Sequence, residues 1–205
     1  MTFLRKPSLP FSRLRTKMSR ENIGKLKILA VQSAACLLIA VFISAFILQA
    51  FRIPSGSMEP LLKAGDRILV FKPVYGFRIP FTGKKILSFF TPERGWPVVF
   101  RFPKDNEAIF IKRCMGLPGD IVEIKTGRLF VNGIEQAEPY AVHSGSPSAS
   151  GSFGPYRVPQ NCWFMLGDNR DESFDSRYWG PVSSEGLIGN PLCIYWPFRR
   201  WGAIK

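Results

Sequence analysis

The sequence predicts an all-β domain carried on a single N-terminal transmembrane helix, and two observations predict it. Residues 28–51 form a 24-residue run without a charged side chain. Behind it, residues 52–205 hold 17 Gly and 15 Pro among 154 residues, a density that breaks helices and punctuates short strands. At 205 residues and 46% apolar composition the chain has room for one packed domain with an appendage.

The chain begins with a strongly basic tail. Residues 1–27 carry eight Lys and Arg against one acid, Glu21, and so hold +7 of the net +13. Basic residues directly before a membrane span orient it: residues 1–27 are expected in the cytoplasm and residues 52–205 on the far side. The tail offers only Phe3 and Phe11 for base stacking and no nucleic-acid motif. It reads as an orientation signal that also attracts anionic lipid, with no nucleic-acid partner.

The apolar run is long enough to cross. As a helix, residues 28–51 would extend roughly 36 Å, against about 30 Å of bilayer hydrocarbon. The run exceeds the apolar core of a cleaved leader, and Leu48-Gln49-Ala50 sets a bulky side chain where cleavage needs a small one. An uncleaved anchor is therefore expected.

Beyond the anchor, short β-like stretches are expected at 67–71, 96–102, 108–115, 121–125, 128–131, 163–166 and 192–195. Thr126-Gly127 and Asn132-Gly133 supply turn chemistry between them. No helical periodicity of useful length follows Phe51. Residues 143–155, rich in Ser, Gly and Pro, read as a loop. Four cysteines are too few for a disulfide scaffold, and no Cys/His spacing suits zinc. Cys36 lies in the anchor. Cys114, Cys162 and Cys193 lie in the outer domain and cannot all pair with one another.

Three segments can carry chemistry. Residues 54–60, Pro-Ser-Gly-Ser-Met-Glu-Pro, set Ser55 and Ser57 around Gly56 in a proline-bounded turn beside the anchor. Residues 108–120 contain Lys112 and Arg113 on a strand. Both cations have apolar neighbours on their own faces, so alternation does not choose between them. Only lysine can lose its proton near neutrality, if burial lowers its pKa from about 10.4 to about 7–8. Residues 167–177, Gly-Asp-Asn-Arg-Asp-Glu-Ser-Phe-Asp-Ser-Arg, fail the spacing of a calcium loop. Arg170 and Arg177 are instead expected to pair with Asp168, Asp171 and Asp175. His143 is the only histidine, so any Ser-His-Asp triad must use it.

Taken in order after one anchor, these three motifs resemble type I signal peptidase, the leader peptidase family of membrane-bound serine proteases. The resemblance runs from the anchor to about Gly180 and weakens in 73–95, in 132–160 and at the C-terminus. One departure stands out: the family's Arg-Gly-Asp before a strand reads Arg94-Gly95-Trp96-Pro97 here. The resemblance implies a signal-peptidase-like β-sheet fold and a Ser/Lys dyad. Ser57 would be the nucleophile and Lys112 the general base. Ser55 and the Ser57 N–H would form the oxyanion hole. Ser173 would hold the lysine amine, and Asp175 and Arg177 would brace the site. It implies no metal and no cofactor. Its substrates would be secretory preproteins, whose signal peptides pair with a sheet edge and present small residues at P1 and P3. Membrane lipid is the other partner, with Trp196, Phe198 and Trp201 available to the interface. The implied location is the bacterial inner membrane, single-pass, with the catalytic domain on the periplasmic side; mitochondrial and thylakoid membranes are the alternatives. Two rival readings are a self-cleaving Ser/Lys protease of the SOS-repressor type and a non-catalytic membrane adaptor.

Overall fold

The structure is a computed structural model that describes residues 20–78, 85–86, 90–143 and 151–204. Most of the basic tail and residues 144–150 of the Ser/Gly/Pro-rich stretch lie outside the described residues. The chain divides into two units, residues 1–41 and 42–205.

The first unit is dominated by helix α1, Arg20–Phe42. The helix thus starts inside the basic stretch, before the uncharged run. A π-helical turn, Ile43–Ile47, follows it. The segment Gly24–Ile47, with mean hydropathy 2.4, is long and apolar enough to cross a membrane. Its Leu37 and Leu38 are exposed, as the side chains of a lipid-facing helix would be.

Residues 48–51 were expected to end the anchor as helix; they instead open strand β1, Leu48–Arg52. The reason is a partner. β1 pairs antiparallel with β2, Arg67–Phe71, from Leu48↔Phe71 to Arg52↔Arg67. A continuous apolar run suits a helix or a buried strand equally, and the available sheet edge decides.

The strands that follow are β3 Phe77–Arg78, β4 Lys85–Ile86, β5 Pro97–Phe102, β6 Asp105–Gly116, β7 Ile121–Lys125, β8 Arg128–Val131 and β9 Ile134–Glu135. After them come β10 Phe153–Arg157, β11 Cys162–Leu166, the four-residue helix α2 Ser176–Trp179, β12 Val182–Ser183, β13 Leu187–Trp196 and β14 Gly202–Ala203. Among the described residues, eight strands form one antiparallel sheet in the order β1-β2-β13-β5-β6-β11-β12, with β14 on β13. A second sheet runs β10-β7-β8-β9, and β3 pairs with β4. β10 takes up Phe153, Gly154 and Pro155, so the end of the loop expected over 143–155 is strand. The mostly β architecture on one apolar helix is the fold class expected.

Turn chemistry works as predicted. Thr126 and Gly127 both have positive φ, 47° and 78°, as do Asn132 and Gly133, 53° and 79°. Two left-handed residues in succession match the right-handed twist of the flanking strands. Asn132 also accepts from Ile121 N at 2.8 Å and donates to Asp120 at 2.8 Å, which ties its hairpin to the end of the β6–β7 turn.

Among the described residues, three buried apolar clusters hold the domain. One, with Ile53, Met58, Leu62, Ile68, Val70, Val99 and Ile194, lies under the first serine segment. A second gathers Phe100, Cys114, Trp163, Met165 and Trp179. The third joins the two sheets through Met115, Val122, Leu129, Phe164 and Leu166. All four cysteines are free thiols.

Candidate active site

The site assembles where β1, β6 and the 167–177 segment meet. The turn after β1 is pinned from below by Met58 and Leu62, both fully buried. Backbone bonds close it: Glu59 N to Gly56 O at 2.9 Å and Leu62 N to Met58 O at 2.8 Å. From the side, Asn169 N donates to Ser57 O at 3.2 Å. The first and third motifs, more than a hundred residues apart, are thereby joined through backbone.

β6 resolves the two cations. In register with β5, Lys112 sits opposite Val98 and Arg113 opposite Pro97. Alternation sends them to opposite faces. Lys112 is 4% exposed, and its Nζ is hydrogen-bonded to Ser57 Oγ. Burial is the largest influence on its amine and pushes the pKa down to about 8; Asp175 and Asp168 oppose that shift and Arg177 reinforces it. With its pKa brought down to about 8, the amine has a neutral fraction near physiological pH, and in that form, bonded to a hydroxyl, it can take the hydroxyl's proton. Ser55 Oγ stands 3.5 Å from Ser57 Oγ.

Arg113 turns the other way into a buried bidentate pair with Asp168, Nε to Oδ1 at 2.8 Å and Nη2 to Oδ2 at 2.6 Å. Its guanidinium also lies 3.8 Å from the Tyr140 ring centroid and donates to Gly95 O. The sequence reading paired Asp168 with arginines of its own segment. The sheet instead aligns Leu166 with Arg113, which brings the strand-end carboxylate to β6. Arg170 turns to Glu138 in a second bidentate pair. The Arg94-Gly95 pair that precedes the departure at Trp96 has contacts here: Gly95 O accepts from Arg113, and Arg94 bridges Asp120 at 2.9 Å.

Asp175 and Arg177 make the pair expected of them. Asp175 Oδ1 accepts from Arg177 Nε at 2.8 Å and Oδ2 from Gly167 N at 3.0 Å, while Asp175 caps α2. Ser173 behaves otherwise. It is buried, but its Oγ has no hydrogen-bond partner, so the structure does not join it to Lys112. It lies against Gly167, where an added Cβ would fall 2.2 Å from Ser173 Oγ and 2.5 Å from Ser57 O. That position tolerates only glycine, a constraint invisible in the sequence because it is set by two distant segments. His143 faces Asp171, Nδ1 to Oδ1 at 3.8 Å, while Ser57 Oγ is partnered by Lys112 and Ser55.

A cavity of about 270 Å³ opens beside Ser57 and Lys112. Met58, Ile68, Val99 and Ile111 floor it, and Phe110, Glu172 and Phe174 are among the residues of its rim.

A family model described as signal peptidase, peptidase S26, matches residues 26–196. The chain belongs to that family. Signal peptidase I of Pseudomonas fluorescens is 36% identical over 217 residues, covering 82% of this chain and 76% of its own. A probable signal peptidase I-2 of Synechocystis is 37% identical over 188 residues, covering 89% and 76%. Thylakoidal processing peptidase 1 of Arabidopsis thaliana is 39% identical over 148 residues, covering 71% of this chain and 41% of the plant protein. Membership makes the chain a signal-peptide peptidase, with secretory preproteins as its substrates. The match begins inside the candidate membrane span and ends at the last residue of β13, so it takes in all three motifs.

Proposed function

We propose that the chain is a membrane-anchored endopeptidase in which Ser57 attacks the scissile carbonyl and Lys112 serves as general base. The hydrogen bond between Lys112 Nζ and Ser57 Oγ, made in a site whose burial shifts the amine toward its uncharged form, carries this reading. A serine hydroxyl is a weak nucleophile until a neutral base accepts its proton. Lys112 takes that proton as Ser57 Oγ bonds the carbonyl carbon. The Ser57 N–H and Ser55 Oγ donate to the oxyanion that develops. Lys112 then hands the proton to the departing amine, and a water deprotonated by the same lysine releases the acyl group. Asp175 and Arg177 brace the 167–177 segment beside the lysine.

The preprotein enters as an extended strand. Among the described residues β1 pairs only with β2, and β11 pairs with β6 only at Arg113, Cys114 and Gly116, so the residues of β1 and β6 that line the cavity have free edges there. A strand laid along them sends alternate side chains into the small apolar floor, which suits small residues at P1 and P3. Incubating the full-length protein in detergent with a preprotein and sequencing the new N-terminus tests this, with Ser57→Ala alongside. Cleavage after a small residue, with a second small residue two positions earlier, is expected. Product from the alanine variant would sink the reading.

The basic tail and the apolar helix favour a single-pass protein with the β domain on the non-cytoplasmic face. Trp196, Phe198 and Trp201 form an exposed row, Trp196 meeting Phe198 edge-on at 4.9 Å and Phe198 stacking on Trp201 at 6.1 Å, fitted to a bilayer interface. Replacing Phe198 and Trp201 by Ser is expected to slow cleavage of a liposome-inserted preprotein roughly fivefold, with a much smaller effect on a short soluble peptide. Equal effects on both substrates would rule out lipid contact.

A further inference from the structure

A row of aromatic rings rises from the core to the rim of the cavity and ends in solvent. Trp179, buried, meets Phe102 edge-on at 5.8 Å, and Phe102 stacks on Phe110 at 4.8 Å. Phe174 leans on Phe102 at 6.1 Å and stacks on Tyr178 at 5.6 Å. Phe174 is 52% exposed and Tyr178 63%. Phe174 lines the cavity and Tyr178 stacks beside it in solvent, an unspent apolar surface of the kind that marks a contact site.

The register of β6 says which part of a substrate would meet it. Ile111 packs with the cluster that floors the cavity, through Ile53, Met58 and Val99. Phe110, one residue away, packs on the opposite face with Phe100 and Trp179. A chain laid along the free edge of β6 shares that alternation. Its P1 and P3 side chains fall on the Ile111 face. Its P2 side chain falls on the face of Phe110 and Lys112, where Phe174 also lines the cavity and is linked to Phe110 through Phe102. Glu172, exposed and two residues earlier, adds a carboxylate to the same rim.

We propose that Phe174, with Phe110 on the same cavity wall, selects the P2 residue of the preprotein, favouring a large apolar side chain, and that Glu172 disfavours an acid there. The proposal rests on the Ser57/Lys112 reading and on the strand-addition mode. Its energetic scale is that of one apolar side chain gaining or losing a ring contact, about ten- to a hundredfold in discrimination.

The test uses full-length enzyme in detergent and matched signal-peptide substrates that differ only at P2, carrying Gly, Leu, Phe or Glu. Each enzyme is scored by its own ratio of kcat/KM against the Gly substrate, so any uniform loss cancels. The wild-type Leu and Phe ratios are expected to be about ten, falling near one in Phe174→Ala. Phe174→Leu should retain most of the Leu ratio, and Glu172→Gln should raise the Glu ratio several-fold. Wild-type ratios near one, or ratios unchanged by Phe174→Ala, overturn the proposal. If Ser57→Ala is inactive in either of those cases, the nucleophile reading survives and only the P2 assignment falls. Cleavage of every substrate by Ser57→Ala would overturn the nucleophile reading and the proposal together.

Discussion

Lys112→Arg is expected to lower preprotein cleavage by about 10⁴-fold, to the limit of detection, while leaving a folded protein. Arginine keeps the positive charge and can still donate to Ser57 Oγ, so it preserves any purely electrostatic contribution. What it cannot do is give up its proton at an accessible pH. The substitution therefore separates a base from a cation. Wild-type kcat/KM should rise about tenfold per pH unit on the acid side and level off above about 8, because the neutral amine is the active form and its fraction grows with pH up to that pKa. Holding the ammonium in this site costs about 3 kcal/mol relative to water, by the conversion between pKa and free energy. Lys112→Met, which removes that buried charge, should be no less stable than wild type in thermal unfolding at neutral pH. An arginine variant with a tenth of wild-type activity, or a flat profile between pH 6 and 9, would remove the base from the mechanism.

Much of this was readable in the chain because it is local. The hairpins at Thr126-Gly127 and Asn132-Gly133 announce themselves by residue type, and the flanking strands β7 and β8 fall where the alternation puts them. The apolar helix is likewise a property of composition. The failures share one cause: they depend on a partner remote in sequence. Residues 48–51 have no phase of their own, and β2 makes them a strand. Lys112 and Arg113 have equivalent neighbours along β6, and only the Ser57 turn on one face and Asp168 with Tyr140 on the other tell them apart. The acidic and basic residues of 167–177 invite pairing within the segment. The fold leaves Asp175 with Arg177 but sends Asp168 to Arg113 and Arg170 to Glu138. Gly167 looks like any glycine before a turn until Ser57 and Ser173 are packed against it.

Asp168→Ala should be among the most damaging substitutions for stability, costing about 3–5 kcal/mol and roughly 10 °C in the unfolding midpoint. The carboxylate is fully buried and Arg113 is 4% exposed on its side chain, so water cannot replace the lost partner. The remaining guanidinium would keep only Gly95 O and the face of Tyr140. The damage should also reach the cavity, because Asn169, the next residue, holds Ser57 O through its backbone N–H. Activity should therefore fall with stability even though Asp168 touches neither Ser57 nor Lys112 by hydrogen bond. The paired variant Asp168→Ala with Arg113→Met gives the sharper result. Removing both charges removes the stranded one, and a buried ion pair replaced by apolar groups of similar size is often close to neutral. The double variant should thus be more stable than Asp168→Ala alone, with a favourable coupling of at least about 2 kcal/mol in the mutant cycle. Additive losses would mean that each side chain acts independently and that the buried pair does not organise the loop that carries the Asn169 contact.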